Sequence, residues 1–188
     1  MAIWAIVLCV ALAFAVWFLR SMQDSGLRPG RRQFVELCEW PAEAAEQLLS
    51  TYAHLTPSDA DQVGWALKQF FVAYVESGFK PVTMPSRAAS DFWLELTRDH
   101  DAYQKFCQEA FGRYFPHPGM PPARPTEREM AGLRRTWLQV CRIEEIDPFD
   151  PDRLPLLFGL DEKLKIRGGI DYDPEADGLF SRASTSAR

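Results

Sequence analysis

Two carboxylates four residues apart, Asp91 and Glu95, are followed in the chain by Cys107 and His117. On a helix, a four-residue spacing sets both acids on one face. Carboxylate, thiolate and imidazole all ligate zinc or another divalent transition metal. The four residues therefore define a candidate metal or thiol centre. Each also has a plainer reading. Cys107 falls inside an apolar stripe, where free cysteine behaves as a small core hydrophobe. His117 stands between Pro116 and Pro118 in a loop, where a histidine needs no metal to account for it.

Other chemistry is thinly represented. The chain has no G-x-S-x-G, H-E-x-x-H, G-x-G-x-x-G or P-loop pattern, so no cofactor is implied and catalysis is disfavoured. The run Asp173-Pro174-Glu175-Ala176-Asp177-Gly178 places acids as a calcium loop does. Its twelfth position is Ser184, which lacks the bidentate carboxylate. Asp147, Asp150 and Asp152 alternate with prolines and read as turn residues. His54 and His100 fall at helix ends, where either can cap a carbonyl or favour the negative end of a helix dipole. The formal charge of −5 disfavours nucleic acid as a partner. Of four cysteines, Cys9, Cys38, Cys107 and Cys141, none forms a C-x-x-C pair, which suits a reducing compartment.

The elements that must position these residues are helical. Phe34, Leu37 and Cys38 begin a short amphipathic segment that Pro41 interrupts, and Ala44, Ala45, Leu48, Leu49 and Tyr52 continue at helical spacing. Thr56-Pro57-Ser58-Asp59 combines an N-cap, proline at the first helical position and a first-turn acid. Val63, Leu67, Phe70, Phe71, Tyr74 and Val75 follow as its stripe, and Gly78 stands where a C-terminal cap belongs. Residues 79–85 read as an extended connection. Ala89, Phe92, Trp93 and Leu96 share one helical face. Asp99 opens the next helix, with the stripe Tyr103, Phe106, Cys107, Ala110, Phe111 and Tyr114. Five prolines in residues 115–125 force a loop before Thr126 and Glu129 form a capping box. Met130, Leu133, Trp137, Val140 and Cys141 continue that helix, and 154–164 supplies a last short one.

Residues 1–19 carry no charged side chain, and Arg20, Arg28, Arg31 and Arg32 follow them. Nineteen helical residues span roughly 28 Å, near the thickness of a bilayer's hydrocarbon core. Ten of them are Leu, Ile, Val or Phe, and Trp4 and Trp17 stand where indoles favour the headgroups. The flanking arginines all follow the apolar run, which predicts an N-terminus outside and the rest of the chain in the cytoplasm. Ala13-Phe14-Ala15 offers a cleavage signature, but no basic n-region precedes the run, so an uncleaved anchor is expected. The predicted architecture is all-α: a single transmembrane helix (1–20), a juxtamembrane linker (21–32), a compact helical bundle (33–172) and a disordered tail (173–188).

Several short motifs belong together. They are Met84-Pro85-Ser86, Asp91-Phe92-Trp93-Leu94-Glu95, Tyr103 with Phe106-Cys107, Phe111-Gly112-Arg113, Trp137 with Cys141, Leu154 to Asp161, and Gly169 with Tyr172. From about 34 to 173 the chain resembles uncharacterised bacterial proteins related to the plant glycine-rich domain-containing proteins. The resemblance implies a helical fold and no settled activity. The family pattern carries Trp-His-Glu where this chain has Trp93-Leu94-Glu95, and His-His where it has Pro116-His117. Two of the three histidines that make a metal site attractive there are thus replaced.

The functional expectation is a single-pass protein of a bacterial inner membrane whose cytoplasmic domain is a scaffold or adaptor for a protein partner. The alternative is a metal- or thiol-dependent enzyme built on Asp91, Glu95, Cys107 and His117. Thirteen phenylalanines and six tryptophans are many for this length, enough to leave an aromatic groove for a partner helix or peptide.

Overall fold

The computed structural model describes residues 30–119, 125–174 and 177–179. Seven α-helices are the regular elements among them: α1 (Arg31–Leu37), α2 (Ala42–Thr51), α3 (Pro57–Glu76), α4 (Arg87–Leu96), α5 (His100–Phe111), α6 (Glu127–Ile143) and α7 (Leu156–Lys163). The expected all-α class holds. Among the described residues no helix is long and apolar enough to cross a membrane. The expected anchor, with Arg20 and Arg28, lies outside them.

α3 is the axis of the bundle, and α1, α2, α4, α6 and α7 all pack on it. Its start is fixed locally. Thr56 Oγ1 accepts from the Asp59 N–H while Asp59 accepts from the Thr56 N–H, a reciprocal box. Its second half is buried on every side, from Gln69 to Val75, which is wider than the one-face stripe read from the spacing. Gly78, at φ 67°, turns the chain away, and the Phe79 N–H closes onto the Tyr74 carbonyl. Around α3 lies an aromatic core in which Trp93 meets Phe70, Phe71 and Phe115, and Phe115 stacks on Tyr74 with centroids 4.0 Å apart.

Two helix starts are capped from far away in sequence. Asp161 of α7 is buried and accepts four hydrogen bonds. They come from Ser86 Oγ (2.7 Å), the Arg87 N–H (2.7 Å), the Ala88 N–H (3.1 Å) and the Ile170 N–H (3.0 Å). A carboxylate thus satisfies the free donors at the positive end of α4. α7, whose own N-cap is Pro155, borrows Glu144, which accepts from the Leu156 N–H at 2.6 Å and from Gln69 Nε2 at 2.9 Å.

Four expectations need correction. Arg31 and Arg32 belong to the bundle and not to a linker. Arg31 donates to the Phe111 carbonyl at the end of α5 and stands over the Phe79 ring, while Arg32 pairs with Glu36 at 2.7 Å. Second, α5 stops at Phe111, because Gly112 takes φ 73° and its N–H closes onto Cys107 and Gln108. Tyr114, read as the end of the stripe, is exposed. Third, His100 starts α5, at the positive end of its dipole, so it has no carbonyl of that helix to cap. His54 does cap one, Leu164 O at 2.9 Å. Fourth, packing continues past 172: Leu179 is buried and Arg134 Nε donates to Gly178 O. In the calcium-like run, the Asp173 N–H is held by the Asp177 carboxylate, and 175, 176 and Ser184 lie outside the described residues.

Candidate functional site

The four predicted ligands go to different places. Asp91 accepts from Tyr52 Oη at 2.5 Å and lies 4.0 Å from the Arg87 guanidinium. Glu95 pairs with Arg98 at 2.7 Å. Cys107 is fully buried, and burial pushes its thiol above the ordinary range, the opposite of a reactive thiolate. Among the described residues, no three or more His, Cys, Asp or Glu side chains group so as to hold one ion. The three described cysteines are free. Burial also raises Cys38, with Lys68 offsetting in part, and pushes Cys141 up to about 12.

His117 is bound, but to the protein. Its Nε2 lies 3.0 Å from Ser90 Oγ and 3.1 Å from the Ser90 carbonyl, and its Nδ1 accepts from the Gly119 N–H at 3.1 Å. Because Nδ1 accepts, the proton is on Nε2 and is donated toward Ser90. A serine–histidine nucleophile needs the reverse, an unprotonated nitrogen facing the hydroxyl. Ser90 is itself buried. The pair is a clasp between the proline loop and α4.

Burial lowers the proton affinity of His117 below the ordinary histidine value, with the Ser90 backbone and Asp91 opposing. Above about pH 6.5 the imidazole is neutral both folded and unfolded, so its contribution to stability is then whole. As pH falls below that value, the unfolded chain takes the proton first and the contribution is lost. Charging the ring would also strip the Gly119 N–H of its acceptor. Urea unfolding at about pH 7.5 and about pH 5 should therefore show wild type losing more stability than His117→Gln over that interval. Equal losses would remove the clasp.

What the fold does bring together is a pair of clefts, about 520 Å³ and about 660 Å³, on either side of Trp40 and Pro41. The ridge between them is fixed from three directions. Trp40 Nε1 donates to Gly64 O at 2.9 Å, and its ring meets Phe71, Phe92 and Phe106 edge-on. Lys68 Nζ donates to the Glu36 and Cys38 carbonyls, tying down the end of α1. Gly64 is required here, since a Cβ would lie 2.9 Å from Trp40 Cδ1. One cleft runs from Ala44 and Gln47 of α2 to Leu96, Tyr103 and Phe106. The other runs from Ala45 and Leu49 to Ala60 and Trp65 of α3, and Trp65 is 46% exposed. Of the predicted ligands, Glu95 lines the first of these two clefts, and Asp91, Cys107 and His117 line neither.

The Trp40-Pro41 pair carried no motif. Its one signal in the sequence was a proline breaking an amphipathic segment directly after a tryptophan.

The family profile that matches the chain covers residues 30–188, starting at the residue that caps α1. The chain belongs to the UCP032817-like family. No curated protein and no solved structure matches it. The family's description names no activity, so the function of this member rests on the geometry above.

Proposed function

We propose that the helical domain is a docking module, the scaffold or adaptor part of a protein that residues 1–20 anchor in a bacterial inner membrane with the domain on the cytoplasmic side. The observation that carries the docking part is the cleft pair. It is an apolar, aromatic-walled depression held open by a rigid ridge, where a monomer would otherwise bury such surface. The apolar run and the arginines after it support the anchor. The family's kinship to plant glycine-rich domain-containing proteins is proposed on the motifs quoted above. Among the described residues the candidates for the enzyme reading are taken up structurally: Cys107 is buried with its thiol proton held, and His117 is oriented as a donor.

A photo-crosslinking residue placed in vivo at Gln47, inside the cleft, or at Gln104, on the exposed side of α5, tests the docking part. The expected result is a discrete adduct from position 47 alone. No adduct, or the same adduct from both positions, would overturn it.

A further inference from the structure

The charge around the two clefts says what kind of segment they take. Six carboxylates line them, Glu39, Glu43, Glu46, Asp61, Glu95 and Asp99, against two cations, Arg98 and Lys68. The cations are already engaged: Arg98 is spent on Glu95, and Lys68 donates to the Glu36 and Cys38 carbonyls. Glu39, Glu43, Glu46 and Asp61 are exposed at the edges of an apolar floor. Such an edge attracts cationic side chains and repels an anionic surface.

We infer that the two clefts bind a basic amphipathic polypeptide segment lying across the Trp40-Pro41 ridge, with one apolar side chain in each cleft and lysines or arginines against the carboxylates. This rests on the docking reading and gives its partner a chemistry. Three other occupants fit worse. A small organic cation would fill at most one of two separate depressions. A second copy of the chain, meeting through the same face, would bring the four exposed carboxylates of one copy, Glu39, Glu43, Glu46 and Asp61, against the same four of the other. A phosphate-bearing ligand would meet the same repulsion.

The test uses the full-length chain and four probes. They are a leucine–lysine helical peptide of about fourteen residues, roughly 21 Å long, its leucine–glutamate counterpart, a serine–lysine peptide of equal charge, and spermine. Fluorescence anisotropy of the labelled peptides should show binding of the leucine–lysine peptide alone. Glu39→Lys with Glu43→Lys should weaken it by about tenfold, mainly through slower association, as should raising salt to about 0.3 M. Glu109→Lys with Glu162→Lys changes the net charge equally on exposed sites outside the clefts and should leave binding within about twofold. Equal weakening by both pairs would mean bulk charge alone and overturn the inference, as would tight binding of spermine or of the serine–lysine peptide. Binding of the leucine–glutamate peptide that is lost in Trp65→Ala would overturn the basic partner and leave docking standing. No binding by either leucine peptide overturns the basic segment, while crosslinking at Gln47 judges docking separately.

Discussion

Asp161→Ala should lower the stability of the domain by about 4 kcal/mol, the largest effect expected of any single polar substitution here. Four donors lose their acceptor at once: the Ser86 hydroxyl and the N–H groups of Arg87, Ala88 and Ile170. Asp161 is 2% exposed, so water cannot replace it without opening the junction of α4, α7 and the loop after α7. In a domain of this size each kcal/mol moves the midpoint by about 2–4 °C, so calorimetry should show a fall of roughly 10 °C. Asp161→Asn keeps the shape but turns an amide NH₂ toward donors, and should cost about half as much. Gly169→Ala approaches the same latch from the other side. Its Cβ would meet Asp161 Cβ at 2.7 Å and Ile166 O at 2.9 Å. A loss below about 1 kcal/mol in Asp161→Ala would mean that α4 and α7 are held by apolar packing alone.

That latch also marks what the sequence could convey. The boundaries of α3 and α6 were legible because each start is a local device, Thr56 with Asp59 and Thr126 with Glu129, closed within three residues. Asp161 looked like an ordinary acid on a short helix, because its donors come from residues more than seventy positions away, and from Ile170. Spacing rules read neighbours along the chain. They are blind to a cap supplied by another element. The same blindness explains Arg31, a plausible topology residue in sequence and an α5 cap in the fold. At the candidate site, residue types suggested Asp91, Glu95, Cys107 and His117, but convergence is a property of packing. Tyr52, Ser90 and Arg98 each take one of the four elsewhere, and the aromatic core takes Cys107. Much of the aromatic excess went into the core, where Trp93, Trp137, Phe70, Phe71, Phe92 and Phe158 are fully buried. Where Trp40 comes to lie, on the wall of both clefts, depends on Gly64, where α3 lets an indole lie flush against it.

Tyr103→Phe should cost about 2–4 kcal/mol, although it removes a single oxygen. Trp93 Nε1 donates to the Tyr103 hydroxyl at 2.7 Å, and that hydroxyl donates to the Phe115 carbonyl at 2.6 Å. The oxygen therefore serves both an indole N–H in the centre of the core and the first carbonyl of the proline loop, and its loss leaves both without a partner. Burial, with Cys107 beside it, raises the Tyr103 phenol far above its ordinary value, so the hydroxyl stays a donor at any pH the fold tolerates. Tyr114→Phe is the matched control, since Tyr114 is 42% exposed and should change the unfolding free energy by no more than about 0.5 kcal/mol. The effect also reaches the functional surface. Tyr103 lines the smaller cleft, and Phe115 leads into the His117 clasp, so one hydroxyl ties the cleft wall to the loop. The indole N–H resonance of Trp93 reads this directly: slow to exchange in wild type, it should exchange faster and shift upfield in Tyr103→Phe. Equal costs for the two tyrosine variants, with the Trp93 resonance unmoved, would show that the hydroxyl relay contributes nothing and that aromatic packing alone fixes the loop.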